Sequence, residues 1–164
     1  GFLMHDALQN INGKINNLIN KPNVNTTTGY NVPLTFVADS DAVGGSSLAS
    51  HITKPVKLAN GATGIKVLFG GHRMNGSEFD LYYRTTLTGT DSDILERSFI
   101  KQTIDNTVPN DTNSEMFHEY VYTIGGEYAK DLREFDQYQL KIVMTGDNSS
   151  NVPRIKDLRT IAVA

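Results

Sequence analysis

The 164-residue chain contains no cysteine and no tryptophan. Without cysteine there is no disulfide framework and no thiolate metal site, although this alone does not fix a compartment. No apolar run approaches the roughly 20 residues that a membrane-spanning helix needs. Excess charge of one sign is lacking too. Fifteen basic residues against eighteen acidic ones leave a net charge of −3, which gives no footprint for nucleic acid or for an anionic membrane surface. No signal peptide is visible, and the Gly1-Phe2-Leu3-Met4 start reads as that of an excised fragment with more protein upstream. What is present is a 38% hydrophobic composition with seven Tyr and seven Phe, enough to build the core of one ordinary domain.

The clearest pattern lies near the C-terminus. Tyr138, Leu140, Ile142 and Met144 alternate with Gln139, Lys141 and Val143, which predicts a strand with one well-buried face. Gly146 to Asn151 is a loop by composition, and Pro153 opens a second run through Ile155, Leu158, Ile161 and Val163. Upstream, Ile65-Lys66-Val67-Leu68-Phe69 stops at Gly70-Gly71, and Phe79, Leu81 and Tyr83 alternate with Asp80, Tyr82 and Arg84. These two runs read as antiparallel neighbours joined through Asn75-Gly76. Pro55 confines the run Ser50–Leu58 to an edge or a bulge, and Asn60-Gly61 reads as a turn. Residues 91–96 read as a helical turn or a loop, 98–104 as a short strand. Met116 to Ile124 alternates Phe117, Glu119, Val121 and Thr123 against His118, Tyr120, Tyr122 and Ile124. Seven or eight short strands separated by turn signals predict a mainly β fold, an antiparallel jelly-roll-like β-sandwich over 48–164.

The first 20 residues differ. Met4, Leu8, Ile11, Ile15 and Leu18 follow 4-3-4-3 spacing, the a/d seam of a short amphipathic helix. So short a helix is marginal alone, and its apolar stripe needs a partner: its own domain or, as a coiled-coil stalk, further copies of the chain. A disordered lead-in is the remaining reading. Residues 21–47 form a Pro-, Gly-, Asn- and Thr-rich linker with a lead-in strand at Leu34–Val37 and a turn-rich loop at 39–47.

Few residues carry a chemical signature. His5, His51, His72 and His118 are scattered, with no metal-ligand spacing among them. Asp39-Ser40-Asp41 and Asp91-Ser92-Asp93 offer hard oxygen donors without completing a calcium loop, and read as turn formers. Gly70-Gly71-His72-Arg73 lacks the Lys-Ser/Thr and helix of a phosphate-binding loop, and Ser46-Ser47 and Ser149-Ser150 lack a nucleophile elbow. The carboxylates Glu78, Asp80, Glu115, Glu119, Glu127 and Glu134 form no pattern beyond what eighteen acidic residues produce by chance. No catalytic residue, metal ligand or cofactor is assigned. Tyr82-Tyr83 and the Tyr120/Tyr122 pair put rings on both faces of their strands, so one face is expected outside. Tyr82, Tyr120 and Tyr122 are therefore the candidate contacts to a glycan or a partner.

The segments SHITKPVKL (50–58), GIKVLFGGHR (64–73), FDLYYR (79–84), QLKIVMT (139–145) and PRIKDLRTIA (153–162) occur in an order that resembles the C-terminal β domain of virion structural proteins of large contractile-tailed bacteriophages, especially those infecting marine cyanobacteria. Gly70-Gly71 stands where that group carries bulkier residues, which puts the flatness of this strand in question. The resemblance implies a non-enzymatic tail, baseplate or fibre component located in the virion. It brings no catalytic or binding residues with it. The implied partners are other virion proteins or copies of the chain, a homo-oligomer with the trimer favoured by analogy with fibres. A lectin-like tip recognising host-surface glycan is the alternative.

Overall fold

The structure, a computed structural model, describes residues 36–47, 49–126 and 132–164. The chain divides into two units, 1–37 and 38–164, and every described strand belongs to the second. The seam Met4, Leu8, Ile11, Ile15 and Leu18, the linker to residue 35, Leu48, and Glu127 with its neighbours to 131 lie outside the described residues.

Eight strands follow in order: β1 Ser50–Ile52, β2 Val56–Ala62, β3 Gly64–His72, β4 Ser77–Leu87, β5 Ile100–Gln102, β6 His118–Gly125, β7 Phe135–Gly146 and β8 Arg154–Val163. All pairings are antiparallel. One sheet runs β1-β7-β4-β5, with β2 also on β7, and the other runs β6-β3-β8. β1 and β2 lie end to end along the same edge of β7, facing Lys141–Val143 and Phe135–Tyr138 respectively. The break between them falls at Pro55, whose missing N–H cannot serve a ladder.

The two inner faces follow the alternation in the sequence. Ile65, Val67 and Phe69 of β3 and Tyr120, Tyr122 and Ile124 of β6 meet Phe79 and Leu81 of β4 and Tyr138, Leu140 and Ile142 of β7. Phe69 crosses from one sheet to touch Phe79 of the other edge-on at 5.6 Å, and the Tyr138 hydroxyl bonds Thr160 Oγ1 of β8 at 2.9 Å. Burial of this interdigitated layer is the main stabilising contribution, at about 25 cal/mol per Å² of apolar surface.

Several expectations change. β3 and β4 are not paired: β3 lies between β6 and β8, and β4 between β5 and β7. Both strands point their apolar residues inward, so the turn through Asn75-Gly76 carries the chain across the core to the facing sheet. Asn60-Gly61 lies inside β2, where the register shifts between Lys57 and Ala62. The 98–104 run shortens to β5. Within 91–96, read as a helical turn or a loop, one short 3-10 turn forms at Ile94–Glu96, capped by Asp93, whose Oδ1 accepts the Leu95 N–H at 2.9 Å. β3 continues through Gly70-Gly71 to His72 rather than stopping. Gly71 faces inward, and a Cβ there would lie 2.6 Å from Tyr120 Cε2 and 2.8 Å from Phe79 Cε2, so the aromatic stack needs glycine. The adjoining β8 bulges at Asp157, which takes a left-handed φ of 53°, as the register with β3 shifts between Leu68 and Gly70. The bulge explains why Ile155 and Leu158, three apart, both reach the core.

β7 departs most from expectation. Both of its faces are buried: Gln139, Lys141 and Val143 point away from the core, yet none is exposed. Their cover is a second, smaller layer, in which Tyr82, Phe99 and Val143 cluster beneath the 39–45 and 91–99 loops.

Candidate functional site

Two buried cations fasten that outer layer. Lys141 Nζ donates to the carbonyls of Asp39 and, at 2.9 Å, Gly44, and lies 4.6 Å from the Phe99 ring centre and 4.9 Å from that of Tyr82. Burial pushes the pKa of this ammonium down, against the pull of Asp39. Arg84 Nη1 donates to the carbonyls of Ala42, Leu95 and Arg97 at 3.0, 3.1 and 2.9 Å, and its Nε to Gln139 Oε1 at 2.8 Å. Loop carbonyls that would otherwise be orphaned against the sheet are thus satisfied by side chains rising from it.

A second cluster sits where the 109–117 loop meets the end of β3. The buried carboxylate of Asp111 accepts the Arg73 N–H at 2.7 Å. His72 Nδ1–H donates to Met116 O at 2.8 Å and lies 3.3 Å from Asp111 Oδ2. His118 Nδ1 lies 2.7 Å from Asp111 Oδ1, close but without hydrogen-bond alignment. Two of the four scattered histidines therefore converge on one aspartate that the sequence did not single out. Among the described residues no group of three or more His, Cys, Asp or Glu is arranged to hold a metal ion. Asp41 Oδ1 accepts Val43 N–H at 3.0 Å, a turn-forming role like that of Asp93.

An open groove of about 690 Å³ lies between β4 and β6, walled by the 102–108 segment. That segment is strapped along the free edge of β6. The Asp105 N–H donates to Val121 O at 2.8 Å, Asn106 bonds both Val121 N–H and Glu119 O, and the Thr123 hydroxyl donates to Asp105 Oδ2 at 2.5 Å. The rim is ionic but internally paired, Arg73 with Glu78 at 2.6 Å and Lys101 with Asp80 at 2.8 Å. Hydrogen bonding to Asp80 raises the pKa of Lys101. Arg73 is the corner post: its Nε donates to Tyr120 Oη and its Nη2 to Val108 O, both at 2.8 Å.

The expectation of outward-facing tyrosine rings is corrected here. Tyr82, Tyr120 and Tyr122 are all buried, the latter two stacked on Phe69 at 5.0 and 5.9 Å and Tyr82 under the outer layer. Loop cover on the outer side of the larger sheet removes the need for an exposed aromatic face. Tyr120 and Tyr122 both line the groove, the Tyr120 hydroxyl accepting from Arg73 Nε, whereas the Tyr122 hydroxyl has no hydrogen-bond partner among the described residues. Burial raises the pKa of both phenols. Of the carboxylates considered, Glu78 and Asp80 line the groove, whereas Glu119 pairs with Arg159 at 2.6 Å on the opposite face of its sheet.

Comparison with protein-family models, with curated proteins and with solved structures gives no match for this chain.

Proposed function

We propose that the protein is a non-enzymatic structural module of a contractile-tailed phage virion, a tail, baseplate or fibre component that makes assembly contacts through the faces of a jelly-roll-like sandwich. The winding supports that description, since from β2 to β4 and again from β5 to β8 the chain passes repeatedly between the sheets. The observation that carries the assembly role is a difference in charge between the two outer faces. The three-stranded sheet presents Lys66, Arg154, Lys156 and Arg159 against Glu119 and Asp157, four cations to two carboxylates. The loops over the larger sheet present Asp41, Asp91, Asp93 and Glu96 against Arg97, partly offset by Arg84 and Lys141 buried beneath. Such a body attracts neighbours on both sides and orients them. The partners are other virion proteins or copies of the chain. The N-terminal seam supports a homo-oligomer, with the trimer favoured only by analogy with fibres. Mass spectrometry of purified particles from a phage encoding the chain tests the reading: it is expected at fixed stoichiometry, and its absence from particles refutes the assignment. Light scattering of the intact chain against one beginning at Val32 tests the stalk, which fails if both are monomers.

A second reading is lectin-like recognition of host-surface glycan in the groove. The Tyr122 hydroxyl, unpartnered among the described residues, supports it, beside amide and carboxylate groups that suit sugar hydroxyls. NMR titration of the chain with a panel of neutral oligosaccharides should shift groove resonances, and shifts confined to other surfaces, or none, would remove this reading.

A further inference from the structure

Lys141 is fully buried, and its amine lies beside one carboxylate, that of Asp39. Nζ stands 4.0 Å from Asp39 Oδ1, the outer limit of an ion pair. That oxygen is itself buried and has no hydrogen-bond partner, while Oδ2 accepts the Ser47 hydroxyl at 2.7 Å. The rings of Phe99 and Tyr82 flank the amine. An incompletely satisfied ion pair in an apolar setting bears a desolvation cost that a neutral amide would not. Bulk water, which opposes amide formation in solution, is excluded from Nζ. Proximity supplies the rest, since the fold brings a nucleophile and an acyl group from positions 102 residues apart into one pocket.

The geometry points to an intramolecular isopeptide bond between Lys141 Nζ and Asp39 Cγ, formed by condensation without a cofactor. The ammonium first passes a proton to the carboxylate, leaving a neutral amine beside a carboxylic acid, a transfer that the depressed basicity of Lys141 favours. The Nζ lone pair attacks Cγ, and the Nζ–Cγ bond forms. The Cγ–Oδ2 bond, polarised by the Ser47 hydroxyl, breaks. Oδ2 departs as water, carrying the transferred proton and one amine proton, and no electrons are exchanged with any other group. The product is a covalent tie between the 39–47 loop and the central strand. It closes the outer layer whatever the module assembles with.

Intact mass of the folded, purified chain, measured after denaturation, tests the bond directly. The expected result is a mass short by one water, with protease digestion yielding a branched peptide that joins the Asp39 and Lys141 segments. Lys141→Arg should restore the full mass, and Asp39→Asn should lose ammonia instead of water. A full mass for the native chain overturns the proposal, and because that measurement needs no variant, poor folding of a mutant cannot obscure it. Loss of water confined to a linear peptide, as a succinimide at Asp39-Ser40 would give, overturns it equally.

Discussion

The guanidinium carbon of Arg84 stands 4.2 Å from the centre of the Phe99 ring. The same group holds three loop carbonyls and the Gln139 side chain, so one planar cation joins the 42, 95 and 97 backbones to the sheet. Lysine has neither the fork nor the reach to replace it. Arg84→Met should cost roughly 3–5 kcal/mol, the range for removing one partner of a buried charged network, and Arg84→Lys should recover little of that. Arg159→Ala, which breaks an exposed pair at 2.6 Å, should cost less than about 1 kcal/mol. Guanidinium denaturation midpoints of the three variants check the contrast, and comparable losses for Arg84 and Arg159 would contradict it.

Gly71 makes a second prediction by what it lacks. Alanine there must push its Cβ into Tyr120 and Phe79, whose rings pack edge-on at 5.0 Å. Both rings are locked in the core, so strain is spread over β4 and β6. Gly71→Ala should lose roughly 1–3 kcal/mol by overpacking, and pairing it with Phe79→Leu should restore part of the loss. A double-mutant cycle measures that coupling, with additivity as the contrary result.

Much of the inner core was legible in the sequence because period-2 alternation survives folding. The inward residues of β3, β4, β6 and β7 are those that alternation selects. Sheet membership was not legible. Ile65–Phe69 and Phe79–Tyr83 carry the same inward pattern whether they pair side by side or face each other, and only the rest of the chain decides. The outer layer was hidden for a related reason. Lys141, Gln139 and Arg84 look like solvent-facing residues of half-buried strands. Their burial depends on loop backbones whose carbonyls have no sequence signature. The groove was invisible likewise, since it joins Arg73, Lys101 and Tyr122 from separated segments. Asp111 is one carboxylate among eighteen, and nothing local marks it as the meeting point of His72 and His118.

Alkaline stability should report the buried phenols. Burial raises the Tyr122 pKa above its ordinary value of 10.0, and Tyr120, Tyr82 and Tyr83 shift the same way. In the unfolded chain these groups lose protons near pH 10, whereas in the folded chain they retain them. Their contribution is therefore fully present below about pH 10 and is lost as pH rises through the folded values. Where Lys141 is still a free amine, not joined to Asp39, it acts oppositely. Its folded pKa is lowered, so the unfolded chain binds more protons between the folded value and 10.5, and stability rises with pH across that window. With four phenols against one amine, the net should fall above about pH 10. Tyr122→Phe should flatten this decline in urea midpoints measured from pH 8 to 11, and an unchanged slope would show that its phenol does not couple to unfolding.

The opposed charge of the two outer faces leads to a prediction about salt. Attraction between exposed faces acts through solvent, where the screening length falls from about 30 Å at 0.01 M to about 10 Å at 0.1 M salt. Self-association through these faces should therefore appear in sedimentation velocity at low ionic strength and dissolve as salt is added. Reversing Lys66 and Lys156 to Glu removes two of the four cations on the three-stranded sheet and should abolish it. Lys156 packs over Phe117 at 4.1 Å, so its reversal alone also disturbs that contact. The decisive variant is thus Lys66→Glu, a residue with no such ring contact, for which circular dichroism should stay unchanged. Mixing this variant with one carrying Asp91→Lys and Glu96→Lys should recover hetero-association, because each then supplies the face the other has lost. Association indifferent to salt and to both sets of reversals would instead place the contact on apolar surface, of which Ile161 and Val163 on the free edge strand β8 are two of several exposed examples.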